Sequence, residues 1–164
     1  MTKLLVFSDS HCRNSLDMLS IIEEEQPDAV LHLGDMVSDV EDIRSVFPEL
    51  TVHQVCGNND WGSDVPEMLV VRVEQVRIFM THGHLHQVRR NTVKLAAAAR
   101  EHHCNAALYG HTHEAEIHRE GDILVANPGS IGMPYFSPAS YLRLTVSGNQ
   151  ITPELIYLPK ESNR

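Results

Sequence analysis

Five short apolar runs in this chain each lead straight into a cluster of Asp, Asn or His. Residues 3–7 run into Asp9-Ser10-His11, 29–33 into Gly34-Asp35, and 51–55 into Gly57-Asn58-Asn59-Asp60. Residues 76–80 run into His82-Gly83-His84, and 105–108 into Gly110-His111-Thr112-His113. Runs of four or five residues rich in Val, Leu, Ile and Phe are the signature of strands buried on both faces. In open α/β sheets the loops after the strands converge on a shared crevice, so five such loops can bring their side chains together. Histidines scattered at random would show no such register.

Between the runs, the pattern alternates with helices. Asn14 or Ser15 caps an expected helix to about Glu25, closed by Pro27, with Leu16, Met18, Leu19 and Ile22 on one face. A second helix is expected near residues 40–46, before Pro48, and the Ala96 to Ala99 block makes 87–103 the strongest helical stretch. Residues 68–80 and 114–126 read as hairpins, the second turning at Glu120-Gly121-Asp122. Two more strands follow near 141–146 and 151–158, joined by Ser147-Gly148-Asn149. The first half thus reads βαβαβ and the second mostly antiparallel. That order predicts an α/β fold in which two sheets pack face to face, a β-sandwich flanked by helices.

The chain of 164 residues fits one domain, 1–164, large enough to bury a core without disulfides. Cys12, Cys56 and Cys104 are odd in number and lie in or beside apolar runs, as expected of reduced thiols in a cytoplasmic protein. The strand that follows Met1 directly is too short for a secretion signal, and no apolar stretch reaches the length of a membrane span. A formal net charge of -9 argues against long nucleic acid as a partner, because duplexes demand a basic footprint. An anionic substrate must therefore be attracted by something bound at the site.

The cluster chemistry points to divalent cations. Asp9 and His11 stand two apart, so in extended geometry both face one way and grip one ion. Gly34 permits a sharp turn that delivers Asp35, whose two oxygens can bridge two cations at roughly 3.5–4 Å. Asn58 offers a neutral amide oxygen as a ligand, though beside Gly57 it is equally a turn residue. His82, His111 and His113 supply nitrogens, the latter two alternating around Thr112. His84 either touches substrate or caps the next segment. His32, His53, His86, His102, His103 and His118 fall outside these clusters and read as structural.

Taken together, the ordered blocks resemble the calcineurin-like metallophosphoesterase superfamily. Its pattern of D-x-H, G-D, G-N, H and G-H-x-H is met by Asp9 and His11, Gly34 and Asp35, Gly57 and Asn58, His82, and Gly110 with His111 and His113. Asn127-Pro128-Gly129-Ser130 extends the likeness to the small single-domain bacterial and archaeal phosphodiesterase branch. The resemblance implies a two-sheet sandwich between helices and two divalent cations, Mn²⁺ first, with Fe²⁺, Zn²⁺ or Ni²⁺ as alternatives. It assigns Asp9, His11 and His113 to one cation, Asn58, His82 and His111 to the other, and Asp35 to both. A hydroxide bridging the two cations would attack a small or nucleotide-type phosphodiester.

Two departures bear on that reading. The family often places His after Gly-Asn, paired with the next acid, to protonate the leaving oxygen; here Asn59 precedes Asp60, which leaves His84 or a metal-bound water as the substitute. General acid catalysis gives about 10²–10⁴-fold, so its loss predicts dependence on good leaving groups. Relatives often place an Arg soon after the Pro of this loop, whereas this chain runs from Ile131 to Tyr135 and Phe136, two rings expected either to stack on substrate, to pack internally or to form a homo-oligomer contact. The competing functions are a protein-interaction scaffold like the retromer subunit of similar fold, and a phosphomonoesterase.

Overall fold

The computed structural model describes residues 1–10, 15–35, 37–132, 134 and 138–159. A first sheet has the order β10-β9-β1-β2-β3, from Gln150–Tyr157, Ser140–Ser147, Thr2–Phe7, Ala29–His32 and Thr51–Gln54. A second has the order β4-β5-β6-β8-β7, from Met68–Val73, Val76–Thr81, Ala106–Leu108, Ile123–Asn127 and Glu116–Glu120. Helices α1 (Ser15–Glu25), α2 (Asp39–Val46) and α3 (Val93–Glu101) connect β1 to β2, β2 to β3 and β5 to β6. Each helix is the crossover that a parallel pair requires.

Side-chain alternation along β1 decides the layering. Leu4 and Val6 point between the sheets, where they meet Leu31, Ile78, Met80, Leu108, Ala126 and Leu142. Leu5 and Phe7 point outward onto Met18, Ile22 and Ile43 of α1 and α2. Phe79, Ala107 and Val125 of the second sheet do the same against Leu95 and Ala99 of α3. The order of layers is helix, sheet, sheet, helix. On α1, Met18 and Ile22 are buried and Leu19 packs beside them, as the periodicity predicts, and Ile21 joins them; Asn14 and the Leu16 side chain lie outside what the structure describes.

Two features differ from the sequence reading. The centre of the second sheet is parallel, with β5, β6 and β8 running together and only β4 and β7 antiparallel at the edges. Each sheet therefore has three parallel strands. Their C-terminal ends are Phe7, His32 and Gln54 in one sheet, and Thr81, Leu108 and Asn127 in the other. The second difference is α3, which begins only at Val93, where Asn91 Oδ1 accepts the Val93 N–H at 3.1 Å. Upstream, Gln87 adopts φ +53° and ends a single 3₁₀ turn, His84–His86. Helical propensity of the alanine block does not extend across that left-handed residue.

Among the described residues, no helix is long and apolar enough to cross a membrane. Cys56 and Cys104 are buried and free; Cys12 lies outside the described residues. Leu31 is fully buried between the sheets. Leu31→Ala is expected to cost roughly 2–5 kcal/mol of stability, read from urea unfolding. A loss below about 0.5 kcal/mol would contradict this packing.

Candidate metal centre

Four residues that follow directly on the parallel strands adopt left-handed backbone although none is glycine: Asp9 (φ 55°), Asp35 (φ 58°), His111 (φ 70°) and His113 (φ 61°). Such conformations cost energy and concentrate at functional sites. Glycine opens the space around them. Gly34 has φ +101°, and a Cβ there would stand 2.6 Å from the Gly57 backbone nitrogen. The loops after β2 and β3 thus touch backbone to backbone.

Asp9 and Asp35 are almost completely buried, at 0% and 2% exposure. Asp9 Oδ2 accepts from Ser8 Oγ at 2.7 Å and from the His111 N–H at 3.1 Å. Its Oδ1 lies 3.2 Å from His113 Nε2 and 3.7 Å from His82 Nε2. Asp35 Oδ2 lies 3.5 Å from the same His82 nitrogen. Ligand atoms of Asp9, Asp35 and His113 all fall within 4.8 Å of one another. Two carboxylates and two imidazoles thus converge in a buried space.

His82 is oriented for coordination. Its Nδ1 lies 2.8 Å from the Leu33 carbonyl oxygen and donates to it, which fixes the ring with Nε2 directed at both carboxylates. That Nε2 is buried and makes no hydrogen bond. Burial pushes the His82 pKa down, but the carboxylates of Asp35 and Asp9 outweigh this and raise it. Burial likewise pushes Asp35 up, and the contact with His82 brings it below the usual carboxylate range. The carboxylates draw positive charge to this point. Their donor set of buried oxygens and an aimed imidazole nitrogen fits a divalent cation.

The remaining expected residues take distinct places. Asn59 donates to both oxygens of Asp35, through its backbone N–H at 3.0 Å and its side-chain amide at 2.8 Å. Asp60 accepts the N–H groups of Gly57, Asp35 and Val37 at 2.7, 2.9 and 2.9 Å. It clamps two loops together, which makes it a positioning residue. Asn58 Oδ1 and His111 Nδ1 are 3.1 Å apart and hydrogen-bonded. The His84 ring stands 5.6 Å from His82 and 6.2 Å from His111, and burial lowers its pKa. His11, Tyr135 and Phe136 lie outside the described residues.

Several contributors escape a sequence reading. Arg89 donates from Nε to His111 Nε2 at 3.1 Å, in a stretch whose helical signal conceals it. His111 thus holds partners on both nitrogens, and cation binding there requires one to yield. Burial and the positive charges of His82 and Arg89 lower its pKa to about 4. Asn127 donates to Thr112 Oγ1 at 2.9 Å and accepts the Gly129 N–H at 2.8 Å, while Ser130 Oγ donates to the Asp9 carbonyl at 2.9 Å. The Asn-Pro-Gly-Ser loop is therefore a brace beneath the centre. Trp61, the sole tryptophan, follows Asp60 and is 90% exposed.

His32 supports the same loops from below. Fully buried, its Nδ1 accepts the Gly34 N–H at 3.2 Å, and Nε2 lies 3.2 Å from Ser10 Oγ.

The model of the calcineurin-like phosphoesterase superfamily domain matches residues 2–149. A phosphodiesterase of Methanocaldococcus jannaschii is 30% identical over 145 residues, covering 77% of this chain and 82% of its own. The crystal structure of a protein from Streptococcus pneumoniae described as a predicted phosphoesterase superposes with a TM-score of 0.80 at 31% identity, covering 95% of this chain and 89% of that one. Vacuolar Protein Sorting 29 from Cryptosporidium parvum has a TM-score of 0.82 at 20% identity, covering 96% and 92%, which is a likeness of fold.

Burial lowers the His32 pKa from 6.5 to about 4. The unfolded chain then takes up that proton first, so its contribution to stability is lost as pH falls from about 6.5 toward 4. In metal-free protein, His32→Gln should remove a slope of up to about 1.4 kcal/mol per pH unit from urea-derived stabilities across this window. Parallel pH profiles for the two proteins would contradict a neutral buried His32.

Proposed function

Because the chain belongs to the calcineurin-like phosphoesterase superfamily, we propose that it is a cytoplasmic, metal-dependent phosphodiesterase acting on small or nucleotide-type diesters with two divalent cations. The observation that carries this reading is the convergence of Asp9, Asp35, His82 and His113 in one buried space. Asp9 and His113, with His11, would hold one cation; His82, with Asn58 and His111, would hold the second; Asp35 stands between. Bound there, divalent cations supply Lewis acidity and bring the pKa of water toward about 7. Mn²⁺ suits the mixed imidazole, carboxylate and amide set, as do Fe²⁺, Zn²⁺ and Ni²⁺.

The chain's own residues orient this centre. Asn59 and Asp60 fix the Asp35 carboxylate and its loop. Asn58 and Arg89 set the plane of the His111 ring. Asn59, an amide held on Asp35, is far too weak an acid to protonate a leaving oxygen. Burial lowers the His84 pKa, so fewer of these rings carry a proton to donate to a leaving group. Both points favour diesters with good leaving groups. The scaffold reading draws on likeness of fold alone, and two buried carboxylates facing imidazoles are costly for a surface that only binds protein.

Hydrolysis of aryl phosphodiesters should appear with Mn²⁺, exceed that of aryl monoesters, and vanish on chelation. Asp35→Asn should lower it at least about 10³-fold while circular dichroism stays unchanged. Turnover of neither ester class with any of the four metals would leave the scaffold. A preference for monoesters would make the protein a phosphomonoesterase.

Asn59→His supplies a proton donor beside Asp35. The ratio of alkyl-ester to aryl-ester turnover should rise about tenfold or more. An unchanged ratio would count against a missing general acid.

A further inference from the structure

The 3₁₀ turn His84–His86 is bracketed by left-handed backbone, Gly83 at φ +114° and Gln87 at φ +53°. Val88 is then drawn inward to 5% exposure, and a Cβ on Gly83 would stand 2.7 Å from its Cγ2. This anchoring fixes the start of the segment that follows. Arg89 emerges against the metal centre, with Nε on His111 Nε2 at 3.1 Å and Nη2 on the His111 carbonyl oxygen at 3.4 Å.

Beside it lies a cavity of about 390 Å³ lined by His84, Gln87, Val88, Arg89, Arg90 and His111. No carboxylate lines it. Gln87 Oε1 already accepts from Lys94 Nζ at 2.9 Å, which turns that side chain's remaining capacity to donation. Among the described residues, the exposed Arg90 guanidinium has no hydrogen-bond or ion-pair partner. A chain of net charge -9 thus carries a pocket of guanidinium and amide donors that shares His84 and His111 with the metal centre. Guanidinium forks match phosphate oxygens bidentately, and the volume falls within the range of small-molecule sites.

We infer that this cavity is an anion subsite that holds a second phosphate group of the substrate, next to the ester cleaved at the metal centre. The inference rests on the diesterase reading for the word substrate, but the anion site itself does not. Preferred substrates are then diesters bearing an additional phosphate monoester. Arg89, braced by His111, orients that group, and Arg90 closes on it. Both ends of such a molecule are anionic, and the arginines at this edge offset the acidic surface locally.

Calorimetric titration of inorganic phosphate into metal-free protein tests the site without catalysis. Native protein and the control Arg72→Gln, altered at an exposed position on β4, should bind alike, while Arg90→Gln should bind about tenfold more weakly at unchanged melting temperature. With Mn²⁺, the kcat/KM ratio for a phosphate-bearing diester over bis(p-nitrophenyl) phosphate should fall by a similar factor in Arg90→Gln. Phosphate binding that is absent from the native protein, or equal in Arg90→Gln, overturns the subsite. So does light scattering that shows an oligomer dissolved by Arg90→Gln without phosphate uptake, since carboxylates of a second copy then fill the cavity. Phosphate binding through Arg90 in a protein that cleaves no diester upholds the anion site and defeats the diesterase reading instead.

Discussion

Two carboxylates that water cannot reach govern this molecule. Asp9 and Asp35 sit at the ends of adjacent parallel strands with almost no exposure, and each faces the same nitrogen of His82. Isolated buried negative charge is too costly to persist without a cation or proton opposite it. The fold answers with imidazoles from the other sheet. His82 follows β5 and His113 follows the loop after β6, so the pairing of charges also fastens one sheet's rim to the other.

Maintaining that arrangement takes more residues than it displays. Asp60 gathers three backbone N–H groups from two loops, and Gly34 and Gly57 let those loops meet at backbone contact. His32 and Ser10 lie beneath. On the other side Asn127 and Ser130 tie the Gly110–His113 segment and Asp9 to the end of β8. Strained left-handed residues at Asp9, Asp35, His111 and His113 are held by these bonds rather than by local preference. Function therefore depends on an outer ring of hydrogen bonds as much as on the ligands themselves.

Much of this was legible because burial and chemistry share a register in the chain. Apolar runs identify β1, β2, β3, β5 and β6 to within a residue or two, and Asp9, Asp35, His82 and His113, which follow four of them, lie together. Glycine turns at 121 and 148 locate the later hairpins. Strand direction in the second sheet was not readable, since parallel and antiparallel neighbours use the same residues and differ only in connection. Propensity overextended α3 because the break at Gln87 serves a tertiary contact, the packing of Val88 against Gly83. The work of Asn59 and Asp60 was hidden for a similar reason. Their partners are backbone groups or carboxylates brought near only by folding.

Anomalous diffraction from crystals soaked in Mn²⁺ reaches the central claim most directly. Two peaks roughly 3.5–4 Å apart, with Asp35 contacting both and His82 and His113 on opposite ions, are the expected result. A single peak, or none within reach of Asp9 and Asp35, would contradict a dinuclear centre.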